Sequence, residues 1–194
     1  MRLFTAISLP DQVRSELAAI QPHHPDINLT PESQLHLTLR YIGETDKAKT
    51  RRIINVLSYV TFRPFDITIR GTGSFRGDGP PAIFWAGVPY HSVLSELYES
   101  IQEELHRAGV PYENRTFHPH VTLGRVRKRR KGETSSPVTP SLERVQEDFF
   151  NGEPSQYSTT FHVDRFRLYQ SRFHSGGAIH HCLREYMASE EVYR

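Results

Sequence analysis

The chain has 194 residues, 37% hydrophobic and 24% charged, with 24 Lys and Arg against 22 Asp and Glu. That length suits one domain or two small lobes sharing a core, and the balance excludes a disordered chain and a uniformly basic nucleic-acid coat. The net charge of +2 is local, because six of the seven residues in 125–131 are basic and the remainder of the chain is net acidic.

Residues 3–9 read as a strand, and Pro10-Asp11 opens a helix to about residue 20 with Val13, Leu17 and Ile20 on one face. The apolar stretch before Pro10 is too short for a signal peptide or a membrane span. Beyond a polar loop between Pro22 and Pro25, residues 35–42 alternate as a strand. Thr45 or Asp46 caps a helix to about residue 59, with Ile53, Ile54, Leu57 and Val60 on its inner side. Residues 65–75 alternate as one strand, and a turn at 77–81 leads to another at 82–88. A helix over 92–108 places Leu94, Leu97, Ile101 and Leu105 at helical spacing. Residues 120–126 form a strand, the basic run follows, and a loop at 132–137 precedes a short helix over 141–149. Strands over 159–169 and 178–186 close the order, joined through 175–177. Interleaved elements with tight turns between several strands favour antiparallel pairing and an α+β fold.

The chemistry lies in a repeat. His36-Leu37-Thr38-Leu39 recurs as His120-Val121-Thr122-Leu123, each at the start of a predicted strand and each followed by an arginine, Arg40 or Arg125. Residues i and i+2 of a strand share a face, so each His projects beside its Thr while the apolar residues turn inward. Two such strands related by an approximate two-fold would gather four polar side chains in one cleft. Paired imidazoles suit acid–base chemistry near neutral pH: one takes a proton from the nucleophile and one gives a proton to the leaving oxygen. The Thr hydroxyls can donate to non-bridging phosphate oxygens. Arg125 and Arg127 fall on the wrong face for this cleft unless Gly124 carries a bulge, which would turn Arg125 to the phosphate.

These residues resemble the two-histidine (2H) phosphoesterase superfamily, and within it the RNA 2′,3′-cyclic phosphodiesterases, also named 2′-5′ RNA ligases. His36-Leu37-Thr38-Leu39-Arg40-Tyr41-Ile42-Gly43 is similar to the family's first motif region, and Phe117-His118-Pro119-His120-Val121-Thr122-Leu123-Gly124-Arg125 to its second. Arg2-Leu3-Phe4-Thr5-Ala6-Ile7, Phe84-Trp85-Ala86-Gly87-Val88 and Tyr169-Gln170-Ser171 with Gly176-Gly177-Ala178 extend the resemblance over most of the chain. It implies an α+β, bilobal fold in which two pseudo-symmetric antiparallel β-sheets line a central cleft with helices packed outside. Residues 1–194 would form a single domain, each lobe contributing one motif. The implied activity is opening of a 2′,3′-cyclic phosphate at an RNA end to a 2′-phosphomonoester. His36 would be the proton donor and His120 the proton acceptor, with Thr38, Thr122 and Arg125 on the substrate. The donor and acceptor labels come from the resemblance, because the two motifs are too alike to set a direction. Two alternatives stay open: a 2′-5′ ligase or phosphodiesterase using the same residues, and an RNA-end-binding module without turnover.

No metal site and no cofactor is expected, since the remaining His lack zinc-like spacing with Cys or carboxylates. His118 is read as orienting the loop ahead of His120, and His23-His24 and His180-His181 as solvated surface. Of Phe4, Tyr41, Phe75 and Trp85, at most one is expected to stack a nucleobase. The lone Cys182 is expected to be a buried or half-buried thiol in a reducing, cytoplasmic setting. The partner is RNA with a 2′,3′-cyclic phosphate end, with no membrane, and the protein is expected as a monomer. Residues 127–131 are read as a mobile basic flap over an RNA backbone.

Overall fold

The first strand, β1 (Arg2–Ser8), stops before Pro10, and α1 (Asp11–Ala19) begins directly after it, burying Val13 and Leu17. The structure, a computed structural model, describes residues 1–75, 83–127, 144, 145, 147, 149, 152, 156–174 and 177–189. A three-residue strand, β2 (Ile27–Leu29), and a 3-10 turn (Glu32–Gln34) follow. Neither was expected, because three residues are too few to express a period. Next come β3 (His36–Glu44) and α2 (Lys47–Leu57). The cap of α2 is Asp46, whose carboxylate accepts from the Lys49 N–H at 2.7 Å, while the Thr45 hydroxyl donates to the Met1 carbonyl.

The single strand expected over 65–75 is two, β4 (Phe65–Arg70) and β5 (Thr72–Phe75). Gly71 between them takes φ 71°, a left-handed conformation that glycine adopts without strain, and the two pieces join different sheets. After β6 (Ile83–Gly87), α3 (Ser92–Arg107) buries Leu94, Leu97, Ile101 and Leu105 as their spacing requires. Then comes β7 (His120–Val126). Of the helix expected over 141–149, the described residues Arg144, Val145, Glu147 and Phe149 are helical. The turn at 77–81 and the loop at 132–137 lie outside the described residues. The strand expected over 159–169 divides at Asp164 into β8 (Ser158–Val163) and β9 (Arg165–His174), and β10 (Gly177–Met187) pairs back on β9.

The fold is α+β, and every strand pair among the described residues is antiparallel. The larger sheet runs β10-β9-β1-β3-β7-β6-β5, with β2 added to β7; β4 and β8 form a separate ribbon. Its two halves meet at β3 and β7, where one residue pair, Leu37 with Val121, joins them. Strands that touch at one pair diverge on either side of it, and that divergence opens a cleft between the halves. Leu3, Ile7, Leu37, Phe84, Val121, Leu123 and Leu168 are almost wholly buried in the core behind it. Helix α3 packs on α2 and touches β3.

Arg40 belongs to that packing and not to the cleft. It is buried; its Nε donates to Gln102 of α3 at 2.6 Å and its Nη2 to the Pro111 carbonyl at 2.8 Å. Arg40 and Arg125 therefore do not correspond, although each follows its His-x-Thr-x closely in sequence. Cys182 is exposed, against the expectation of a buried or half-buried thiol. Among the described residues no helix is long and apolar enough to cross a membrane.

Candidate active site

The antiparallel pairing of Leu37 with Val121 determines what faces what. One residue further in each direction, His36 falls opposite Thr122 and Thr38 opposite His120, all four on the face away from Leu37 and Val121. The two imidazoles are then diagonal neighbours, a relation that separates Cβ atoms by roughly 7–8 Å in a regular pair.

The repeat extends further than its four letters. In β3 the partner strand skips Leu39, since Thr5 pairs with Arg40 and Ala6 with Thr38. In β7 it skips Leu123, since Phe84 pairs with Gly124 and Trp85 with Thr122. Each bulge puts one extra residue on the core side and reverses the alternation, so the burial patterns of both strands begin identically. The residues returned to the cleft are Tyr41 in one strand and Arg125 in the other. The bulge expected at Gly124 falls one residue earlier, at Leu123, and has a counterpart in β3; Arg125 lines the cleft beside Thr122. Gly124 is also pressed by β2, where a Cβ would stand 2.8 Å from Ile27 Cγ2.

The cleft encloses about 960 Å³ and is lined by His36, Thr38, Tyr41, Thr122, Arg125 and His180 among others. His120 is not part of that lining; it stands beside it on the Thr122 face. Both imidazoles are held in the same way. His36 Nδ1 donates to the Gln34 carbonyl at 2.6 Å, and His120 Nδ1 to the His118 carbonyl at 2.6 Å. A carbonyl only accepts, so Nδ1 carries the hydrogen and Nε2 is the unprotonated nitrogen of each neutral ring. His118 therefore acts on His120 through its backbone oxygen, while its side chain is exposed.

Each ring leans on aromatics from neighbouring strands. Phe4 lies 5.0 Å from His36, and Phe75 meets His120 edge-on at 4.9 Å, with Trp85 at 6.4 Å. Three of the four aromatic candidates thus support the histidines, and Tyr41 is the one exposed in the cleft. Trp85 rests directly on Gly73, where a Cβ would sit 2.1 Å from the indole. Gly73→Val is expected to push the indole off β5 and loosen His120, lowering turnover about tenfold, within the 1–3 kcal/mol typical of overpacking. Comparing kcat of the variant with its melting temperature checks this, and unchanged kcat in a folded variant refutes it.

Sequence reasoning missed His180. It is half-buried on β10, meets His36 edge-on at 5.3 Å and Phe4 at 4.9 Å, and lines the cleft. Its neighbour His181 is exposed as expected, whereas His24 is buried and its Nδ1 accepts from the Asp26 N–H. Strand alternation could have separated His180 from His181, whereas His23 and His24 lie in a loop where that rule does not apply. Arg127 is not part of a free flap: its Nη2 meets Asp26 at 3.1 Å and its N–H donates to the Asp26 carbonyl at 2.7 Å. Residues 128–131 lie outside the described residues. Among the described residues no three His, Cys, Asp or Glu gather as a metal site.

Burial lowers the proton affinity of both site histidines. His36 falls from 6.5 to about 4; its bond to the Gln34 carbonyl opposes the drop, and like charge on His180, Arg125 and His120 adds to it. His120 is lowered by burial, against its bond to the His118 carbonyl, and further by Arg125 and His118. In the free protein His36 is therefore neutral at neutral pH. An anion placed among these groups favours the charged imidazole, so anion binding takes up a proton. Affinity for sulfate, whose charge is constant over the range, is expected to fall as pH rises from about 5 to 8, by up to ~10-fold per pH unit. Titration calorimetry at several pH values tests this, and a pH-independent affinity would contradict it.

A model of the 2′-5′ RNA ligase superfamily matches residues 9–172 of the chain. The chain is 32% identical over 188 residues to the RNA 2′,3′-cyclic phosphodiesterase of Archaeoglobus fulgidus, covering 95% of this chain and 98% of that protein. It is 28% identical to the RNA 2′,3′-cyclic phosphodiesterase of Methanocaldococcus jannaschii, covering 96% and 100%. Among solved structures, TT0787 of Thermus thermophilus superposes with a TM-score of 0.73 at 24% identity, covering 96% of this chain and 97% of that one. That likeness concerns the fold.

Proposed function

The chain belongs to the 2′-5′ RNA ligase superfamily, and from that premise we propose that it hydrolyses the 2′,3′-cyclic phosphate at an RNA end to a 2′-phosphomonoester. The observation that carries this reading is the matched pair of imidazoles, each with Nδ1 tied to a backbone carbonyl and Nε2 left for chemistry.

His120 Nε2 takes a proton from water as the water oxygen bonds to phosphorus. The P–O3′ bond breaks on the opposite side, and His36 Nε2–H delivers its proton to O3′. His36 enters this step charged because the bound anion supplies the stabilisation that the free protein lacks. Thr38 and Thr122 donate to the non-bridging oxygens, Arg125 neutralises their charge, and Tyr41 offers a face to the terminal base. No step calls on a cofactor or a metal. Residues 1–194 act as one catalytic domain of two lobes. A monomer suffices because one chain supplies both motifs, and a reducing cytoplasm suits the exposed thiol of Cys182.

The deciding experiment is product analysis of a short RNA ending in a 2′,3′-cyclic phosphate, run with excess chelator. A 2′-phosphate product is expected; a 3′-phosphate product or tight binding without turnover would overturn the reading. With a 5′-hydroxyl in place of water, the same residues would join that oxygen to phosphorus as the P–O3′ bond breaks, giving a 2′-5′ bond. Adding such an acceptor strand to the assay reads that activity directly.

A further inference from the structure

A second cavity, of about 520 Å³, lies against the cleft and shares Phe4, Gln34, His36 and His180 with it. Those four residues form a partition, with the His36 ring in the middle. Beyond it the walls change character, because Arg14, Arg167, Ser8 and Tyr169 line the far side. Arg167 Nη1 donates to Ser8 Oγ at 2.6 Å, and Ser8 Oγ lies 2.6 Å from Tyr169 Oη. Arg14 Nη1 donates to the Leu9 carbonyl at 2.7 Å, which sets its guanidinium against the end of β1. Both cations sit deeper than the carboxylates that pair with them. Arg14 is 26% exposed against 94% for Asp11, and Arg167 is 27% exposed against 40% for Glu185. The carboxylates therefore hold the guanidiniums from the water side and leave the cavity side to N–H donors and hydroxyls. Each guanidinium has five N–H donors, more than these bonds use.

Two arginines and two hydroxyls within one small cavity match a phosphodiester, whose oxygens accept several charge-assisted hydrogen bonds. The geometry of an RNA end indicates which phosphodiester. The oxygen expelled when the cyclic phosphate opens is O3′, carried on C3′. From C3′ the chain runs through C4′ and C5′ to the phosphate that joins the preceding nucleotide. That phosphate must lie on the leaving-group side of the reacting phosphorus, which is the His36 side. It is also the side on which the second cavity lies.

We propose that this cavity is the seat of the last internucleotide phosphate of the RNA, held by Arg14 and Arg167. The assignment rests on the reading of the site as a cyclic phosphodiesterase with His36 as donor. It makes the enzyme a reader of chain ends, since a 2′,3′-cyclic mononucleotide with a free 5′-hydroxyl leaves the second cavity unfilled.

The test compares two dinucleotides ending in a 2′,3′-cyclic phosphate, one with a natural linkage and one with an uncharged methylphosphonate linkage. The native enzyme is expected to favour the charged linkage by ~10-fold or more in kcat/KM, the scale of a charge-assisted bond. In Arg167→Met, and separately in Arg14→Met, that ratio is expected to fall towards 1. Equal rates on the two linkages with native enzyme, or a ratio undisturbed in both variants, overturns the subsite. If either variant fails to fold, the native ratio and the other variant still decide. A 2′,3′-cyclic mononucleotide serves as control on the native enzyme. Its hydrolysis together with equal dinucleotide rates sinks the subsite alone, whereas no hydrolysis of any substrate sinks the phosphodiesterase reading and the subsite with it.

Discussion

His36→Ala and His120→Ala are each expected to lower kcat for a 2′,3′-cyclic phosphate by ~10²–10⁴, the range for loss of a general acid or base. The two losses should differ in their dependence on pH. Native kcat/KM should be bell-shaped, because one imidazole must be charged and the other neutral. His36→Ala removes the acid, so its residual rate should keep the rising limb that belongs to His120. His120→Ala should keep the falling limb. If the limbs survive the other way round, the donor and acceptor labels exchange. If both variants turn over at near-native rates, the two-histidine mechanism fails outright. Neither substitution should unfold the protein, because neither side chain carries a core contact like that of Leu37 or Val121 between them. Truncation also removes an imidazole that burial disfavours in its charged form.

Arg125→Met is expected to raise KM for the cyclic phosphate by ~10–100-fold with a smaller change in kcat, since a charge-assisted contact to phosphate contributes about 1.5–3 kcal/mol. The bulge at Leu123 brings Arg125 onto the cleft face, and no hydrogen bond or ion pair engages its guanidinium among the described residues. Arg125→Lys should recover only part of the affinity, as a point charge replaces a planar fork. The variant should also move the histidines. Arg125 is among the charges that depress both, so its removal should raise their pKa and shift the falling limb of the pH profile upward. A KM within about threefold of native in a folded Arg125→Met, well short of a charge-assisted contact, would remove Arg125 from the site.

Much of this site was legible because strand alternation is a local rule. His36, Thr38, His120 and Thr122 share a face by spacing alone, and Leu37 and Val121 are buried as that spacing demands. The equivalence of Arg40 and Arg125 failed for the same reason. Alternation predicts a face only until a bulge, and the bulge at Leu39 sends Arg40 inward to Gln102. Gly124 signalled one bulge in the sequence; nothing in Leu39-Arg40 signals the other, which depends on how β1 pairs. The break at Gly71 was marked by a glycine, yet the assignment of β4 and β5 to separate sheets is tertiary. His180 was hidden because its place beside His36 is set by the β10-β9-β1-β3 order, which brings together residues 144 positions apart. The second cavity was hidden likewise, since Arg14 comes from a helix and Arg167 from a distant strand.

The single Leu37–Val121 rung has a mechanical consequence. A sheet resists bending about a line crossed by many hydrogen bonds; within this sheet the line between the halves is crossed by one pair, and behind it the halves are tied by Arg40 to Gln102 and Pro111 and by α2 on α3. The imidazoles and threonines flank that line, so a small rocking of one half against the other changes the gap in which phosphorus sits. That rung lies between the two His-x-Thr-x segments, so any change in the angle between the halves registers first in the spacing of those four side chains. Amide exchange should reflect this, with Leu37 and Val121 opening more readily than the β1–β9 ladder although both residues are almost wholly buried.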